Sequence, residues 1–448
     1  MTVTVDEISA SGALPTPSIP SRTQVSRAPL AKIRQVFGEL GPGIVTGASD
    51  DDPSGIATYS QVGAQFGFAM LWTMLFSYPL MAGIQEISAW IGRVTGMGIA
   101  ANLRRYYSTW VLYPVVVLML IANVANLGAD IGAMGSAFKL LFNGSALIYA
   151  IGFGIISLIA EVFIPYHRYA QILKWSTLVL LVYVATAFVV HIQWQHALIA
   201  TVVPRITLSK DYMTALTAVF GTTISPYLFF WQASQEVEEQ EAAPDQKPLK
   251  QAPEQETSQL KPMRTDTYIG MGISNAIAFF IILDTAAALH AHGVTDIQSA
   301  TQAAESLRPL AGELCFLLFS VGIIGTGLLA VPVLAGSAAY ALAEALKWQT
   351  GLERPLNKAW GFYGIISIAT LVGVALNFTS IDPIKALFWS AVINGVVAVP
   401  VMFVMMLMTA NPKVTGTLRL TLPQKIIGWT ATGVMFLVAA SMIATWNN

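Results

Sequence analysis

Residues 49–55 read Ser49-Asp50-Asp51-Asp52-Pro53-Ser54-Gly55, in the middle of a segment otherwise apolar enough to cross a membrane. A carboxylate in hydrocarbon costs several kcal/mol and persists where it contacts an ion or a water-filled path. Pro53 and Gly55 break the helix beside it, and the freed carbonyls need other partners. The run predicts an unwound backbone at mid-span that holds a cation.

Composition sets the class around that break. With 55% hydrophobic residues, 11% charged residues and a mean hydropathy of +0.61, the chain departs from soluble domains, of which about 25% is charged. It reads as an all-α integral membrane protein. Eleven apolar runs of about 20 residues fall near 43–66, 68–91, 111–138, 146–164, 171–191, 212–235, 267–289, 312–346, 360–378, 382–408 and 423–445. A cytoplasmic N-terminus puts 19 of the 24 Lys and Arg on the cytoplasmic side and leaves Lys139, Arg205, Lys210, Arg308 and Lys385 outside. The expectation is a multi-pass protein of the plasma membrane, its C-terminus extracellular and the lipid bilayer its surroundings. Residues 1–36 are polar, rich in Ser, Thr and Pro, and lack a signal-peptide core, which predicts a disordered cytoplasmic tail. The single cysteine, Cys315, excludes a disulfide framework and a thiolate metal cluster and reads as a small apolar helix residue. The net charge of −1 carries no signature of a nucleic-acid partner.

A second interrupted run sharpens the topology. Phe220-Gly221-Thr222-Thr223-Ile224-Ser225-Pro226-Tyr227 puts Gly, two Thr, Ser and Pro at the centre of run six, as the Asp-rich stretch does in run one. Breaks in the first and sixth of eleven runs imply a LeuT-like inverted repeat, with one unit over 37–210 and the other over 211–408. The second unit contains a cytoplasmic loop at 236–265, and residues 409–448 hold the eleventh helix. In such transporters the substrate sits between the broken helices, where helix C-termini and unwound carbonyls attract a cation.

The motifs carry a family resemblance. Gly41-Pro42-Gly43 followed by Asp52-Pro53-Ser54-Gly55 resembles the first helix of the NRAMP divalent-metal transporters, whose signature there is Asp-Pro-Gly-Asn. Ser225-Pro226-Tyr227 falls where that family has Met-Pro-His, and Leu334-Ala335-Gly336 resembles its Ala-Gly motif. The resemblance implies that Asp52 is the metal-binding aspartate. Gly55 stands in place of the asparagine ligand, Ser225 in place of the methionine ligand, and Thr222 offers a carbonyl ligand.

These departures alter the expected cargo. A thioether favours softer transition metals, so a hydroxyl at 225 removes a reason to prefer manganese or iron. Gly55 is expected to widen the site, and magnesium, which dehydrates reluctantly and touches one or two carboxylates, suits a wide, hard site. The pattern looks like the NRAMP-related magnesium transporters, which implies import of Mg2+, and also Mn2+, by alternating access with no resident cofactor. Proton-coupled members use an acidic pair in the third span and the histidine of Met-Pro-His. Here those positions hold Asn126, Ala129 and Tyr227, residue types that do not titrate near neutral pH. Uncoupled entry driven by the membrane potential is expected; the alternative is that Asp130, one helical turn from Asn126, is a displaced substitute for the acid and restores proton coupling.

Each further polar residue has two readings. Asp51 is either an attractor for the ion or a carboxylate on a water-filled path, while Asp50 reads as a solvated residue or a partner for a nearby donor. Gln232 and Glu236 share a helical face with Ser225 and predict a polar stripe, although Glu236 is expected to be solvated at the helix end. Asn394 either completes the ion's surroundings or makes a helix-packing hydrogen bond, and Asn275 invites the same pair of readings. The acidic loop reads as a flexible, solvated connector. Trp72, Trp90, Trp110, Trp194, Trp348 and Trp446 are expected to anchor the interface. The five histidines lie at span ends or in loops, without metal-ligand spacing in the membrane. A proton-coupled Mn2+ or Fe2+ symporter is the nearest rival. A sodium-coupled organic-solute symporter shares the architecture, but Asp52 would repel a substrate carboxylate. No membrane-centred His or Cys constellation supports an intramembrane enzyme, so no enzyme is expected.

Overall fold

The structure, a computed structural model, describes residues 42–164 and 176–446. The expected tail over 1–36 lies outside the described residues, as do His167, Arg168 and Lys174. The main helices are α1 (Pro42–Asp50), α2 (Pro53–Phe66), α3 (Trp72–Thr95), α4 (Ile99–Tyr106), α5 (Thr109–Leu141), α6 (Ala146–Phe163), α7 (Leu181–Ala187) and α8 (Trp194–Val202). They continue as α9 (Lys210–Thr223), α10 (Pro226–Ala242), α11 (Glu256–Ala288), α12 (Cys315–Leu346), α13 (Trp360–Leu376), α14 (Pro383–Ala410) and α15 (Leu422–Ala444). No strand occurs among the described residues.

Every apolar run of the sequence contains helix, but they are not equally suited to crossing a membrane. Among the described residues seven helical segments are long and apolar enough, and Pro53–Met70 with Trp72–Thr95 qualifies only as a pair bent by 109°. The first run is divided into helices of 9 and 14 residues, and α13 has 17. Eleven crossings are therefore a proposal that counts these shorter elements as spans.

Local chemistry explains where the helices start. Proline opens α2, α10, α14 and α15 within the first two positions, where its missing N–H has no intrahelical partner to lose. Gly67, at φ +57°, ends α2 in a backbone conformation that side chains resist. Packing then depends on close backbone approach, since lipid offers no hydrophobic drive between helices. A Cβ on Gly221 would stand 2.0 Å from the Ala391 carbonyl oxygen, and one on Gly47 would stand 2.3 Å from the Gly270 carbonyl carbon. Helices α9 and α14, and α1 and α11, thus touch at the level of the two breaks. Ile121, Ile156, Ile368 and Phe436 point outward and are exposed, as lipid-facing residues are.

Three expectations change here. Trp72 and Trp90 are core residues rather than interface anchors, and the Trp72 Nε1 donates to the Tyr212 hydroxyl at 3.1 Å. Glu236 is not solvated: it is 1% exposed and pairs with Arg93 Nε of α3 at 2.5 Å, while Arg93 also pairs with Glu239. The 236–265 segment is not a free connector either. Helix α10 runs to Ala242, and the Leu249 and Lys250 amides donate to the Arg93 and Val94 carbonyls at 3.0 and 2.9 Å. Cys315 opens α12 as a buried free thiol.

Candidate metal site

The two breaks face one another. Helix α1 stops at Asp50 and α2 restarts at Pro53, with Asp52 as the N-cap in extended conformation. Helix α9 stops at Thr223 and α10 restarts at Pro226, with Ser225 as an extended N-cap. A Cβ on Gly55 would lie 3.2 Å from the Asp50 carbonyl oxygen, 3.2 Å from Thr222 Oγ1 and 3.3 Å from a Tyr59 ring carbon. The space that Gly55 was expected to open is therefore filled by its neighbours.

Asp52 is the centre of this junction. Its Oδ1 accepts from the Gly55 amide and the Ser54 hydroxyl, both at 2.7 Å, and its Oδ2 accepts from Asn126 Nδ2 at 2.9 Å and the Tyr227 hydroxyl at 3.1 Å. A carboxylate has about four lone-pair positions, so this set fills it. Asn126 is held in turn by Ser390 Oγ, which donates to its Oδ1 at 2.7 Å. Ala129, one turn along α5, is buried and brings no polar group. A cation at Asp52 would have to displace one of these donors.

The other candidates take different positions around this centre. Ser225 Oγ lies 2.7 Å from the Thr222 carbonyl and 2.9 Å from the Gly221 carbonyl, the one hydroxyl proton serving two acceptors. Asp50 and Asp51 turn toward α11, where Ser274 Oγ lies 2.6 Å from Asp50 Oδ2 and 3.1 Å from Asp51 Oδ1. Of the two readings of Asp50 the structure gives the partner of a nearby donor, Ser274, rather than a solvated residue; it is buried, and its Oδ1 has no hydrogen-bond partner. Asn394 is fully buried with both amide atoms unpartnered, on the stretch of α14 that packs against Gly221. The packing hydrogen bond expected of it is absent among the described residues. Asn275 makes such bonds, to the Met74 carbonyl at 3.0 Å and from Ser77 at 3.3 Å. Asp130 is buried within electrostatic reach of Asp52, and neither oxygen makes a hydrogen bond of normal geometry.

The expected polar stripe leads away from the junction along α10. Thr46 Oγ1 donates to Gln232 Oε1 at 2.5 Å, Gln232 Nε2 donates to Glu236 Oε1 at 2.7 Å, and Glu236 ends on Arg93. The stripe therefore fastens α1 to α10 and α3. Ser54, Ser274 and Ser390 were not singled out in the sequence. For Ser54 a signal existed, because Asp followed by Pro marks a helix N-cap whose side chain bonds the next turn. The other two act across 223 to 264 residues of separation, beyond any local pattern.

Two facing helix breaks around a buried carboxylate, in an all-helical membrane bundle, define a broken-helix membrane protein. The chain belongs to the Nramp family, Natural resistance-associated macrophage protein-like, which matches residues 43–445. It is 26% identical over 407 residues to the divalent metal cation transporter MntH of Klebsiella pneumoniae, covering 88% of this chain and 91% of that one. The Yersinia pestis MntH is 27% identical over 311 residues, 68% of this chain and 71% of that one. Among solved structures, the Eremococcus coleocola manganese transporter superposes with a TM-score of 0.69 at 16% identity, covering 93% of this chain and 89% of its own. MhsT, solved with L-phenylalanine, superposes at 0.58 with 12% identity, over 89% of this chain and 98% of its own. These likenesses give the fold, an all-helical membrane architecture with LeuT-like neighbours. Family membership puts the chain among transporters, not enzymes.

Proposed function

We propose that this protein imports divalent metal cations by alternating access around Asp52, with Mg2+ as principal cargo, Mn2+ also carried, and no coupled proton. The observation that carries the reading is the Asp52 carboxylate, buried between two broken helices and surrounded by hydroxyl and amide groups. Relatives named divalent metal cation transporters support the cargo class. Hard oxygen donors from Asp52, the Thr222 carbonyl and Ser225, with the unpartnered Asn394 amide nearby, favour magnesium over softer ions. Asp51 contributes negative charge from the α11 side. Eleven crossings in two inverted five-helix units, with the N-terminus cytoplasmic in the plasma membrane, complete the proposal.

Uncoupled flux rests on Asn126 and Tyr227, which donate to Asp52 where a proton carrier would stand. The potential supplies about 4.6 kcal/mol per 100 mV to a doubly charged ion, twice the value for one charge. One observation favours a second reading, proton-coupled Mn2+ transport: Asp130 is buried within electrostatic reach of Asp52, and neither of its oxygens makes a hydrogen bond of normal geometry. Uptake into proteoliposomes, with internal metal and pH recorded together, tests both. Magnesium influx that vanishes in Asp52→Ala with no internal acidification is the expected result; no magnesium flux, or an unaffected variant, rejects the proposal. Acidification in step with influx, lost in Asp130→Asn, selects the second reading.

A further inference from the structure

Away from the helix breaks, the end of α2, one side of α8 and the end of α11 line a cavity of about 360 Å3. Its polar lining comes from Arg205, His191, His196, His290 and Gln193, and no Asp or Glu lines it. These groups are scattered over a hundred residues of sequence, and only the fold collects them. We propose that this cavity binds the phosphate headgroup of an anionic phospholipid.

Four observations support that occupant. The Arg205 side chain has no ion pair or hydrogen bond among the described residues; only its backbone carbonyl is engaged, by the Tyr212 hydroxyl at 2.6 Å. An unpaired guanidinium is suited to bidentate contact with phosphate. Gln193 and His196 bring the start of α8 to the cavity; no side chain caps that helix, and although the Trp194 amide donates to the Ile192 carbonyl at 3.0 Å, the next amides of the first turn lack intrahelical partners and add donors at a positive dipole end. His290 is fixed by its Nδ1, which donates to the Ala64 carbonyl at 2.7 Å, and His196 is held edge-on to Phe68 with centroids 5.8 Å apart. Finally, Ile199 and Val203 of the lining continue into an exposed apolar face with Leu198, Val202, Ile206 and Leu208. A free phosphate has no use for that face, whereas acyl chains do. A metal ion is the wrong occupant, because among the described residues no three His, Cys, Asp or Glu side chains come close enough to hold one.

The cavity wall bears on the transport machinery. The His290 ring lies against Gly67, where a Cβ would be 2.9 Å from its Cδ2, so a bound headgroup braces the end of α2 against α11. Because the proposal depends on the bundle lying in a membrane and not on the cargo, it stands or falls separately from the magnesium reading.

The test measures lipid retained by the purified full-length protein, using native mass spectrometry after exchange into mixed micelles of phosphatidylglycerol and phosphatidylcholine. The wild type is expected to retain phosphatidylglycerol preferentially. Arg205→Gln should lose at least about tenfold of that retention, the scale of a charge-assisted contact to phosphate, while Arg205→Lys keeps most of it. Ile199→Ser, an exposed change that leaves the charge in place, should weaken retention several-fold through the lost acyl contact. Equal retention of the two lipids by the wild type, or unchanged phosphatidylglycerol retention in both Arg205→Gln and Ile199→Ser, overturns the proposal. Displacement of the lipid by an equal concentration of inorganic phosphate overturns the lipid assignment.

Discussion

A carboxylate with every lone pair engaged is closed to a cation until a donor leaves, and this governs what single substitutions at Asp52 and its partners should do. Tyr227 is the donor of longest reach, 3.1 Å from Oδ2, and its hydroxyl also lies 3.4 Å from the Ser49 carbonyl. Hydrogen bonds to charged groups contribute about 1.5–3 kcal/mol, so Tyr227→Phe should lower the apparent KM for magnesium by about tenfold or more. Initial uptake rates across a magnesium series check this; an unchanged KM means that the hydroxyl does not compete with the ion, and a raised KM that it assists it. Selectivity belongs to the same scale. Ser225→Met introduces a thioether beside the Thr222 carbonyl and should raise manganese preference, read as inhibition of magnesium uptake by added Mn2+. Gly55→Asn meets Asp50, Thr222 and Tyr59 at 3.2 to 3.3 Å and is expected to need movement of α9 before it can bind.

Helices hold the breaks in register through two kinds of contact, backbone packing and buried charge. Gly221→Val places carbon atoms inside the α9–α14 contact, where even a Cβ overlaps Ala391. Overpacking of this kind costs about 1–3 kcal/mol or more. The variant should show a lowered midpoint of thermal unfolding by size-exclusion profile, and a wild-type profile would contradict the close approach. Arg93→Met leaves Glu236 buried without its cation, and breaking a buried pair from one side costs about 3–5 kcal/mol. Replacing both residues with apolar ones of similar volume should recover most of that loss, since the pair's own desolvation is then removed too. A double variant no more stable than Arg93→Met would show that Glu236 owes its place to Gln232 and Thr46 rather than to Arg93.

Across the whole molecule, charge movement separates the two transport readings. A doubly charged ion moving alone should accumulate about tenfold for each 30 mV of imposed potential, from about 2.3 kcal/mol per charge per 100 mV and 1.36 kcal/mol per decade. With one proton in symport three charges move, and the same reasoning gives about tenfold per 20 mV at equal pH. Equilibrium metal ratios in liposomes clamped with potassium and valinomycin measure that slope; the shallower one is expected.

Helix breaks are written in local chemistry, and that part was readable in the chain itself. Pro, Gly and an Asp or Ser cap act on the backbone within four residues, so Asp52 and Ser225 could be placed at helix ends without any tertiary information. The family resemblance also pointed to positions 126 and 227, as places where proton carriers were missing. Their actual part, as donors that close Asp52, spans 74 and 175 residues and depended on where α5 and α10 pack. The same distance in sequence explains the misjudged solvation of Glu236, whose partner Arg93 lies 143 residues earlier. It also explains why Asp50 and Asp51 turned from the junction toward Ser274, more than 220 residues later. The sequence by itself determined that two membrane helices break and that a carboxylate stands at one of the breaks. Only tertiary structure decided which groups satisfy that carboxylate, because a buried charge takes its partners from whatever the packed helices bring within hydrogen-bonding distance.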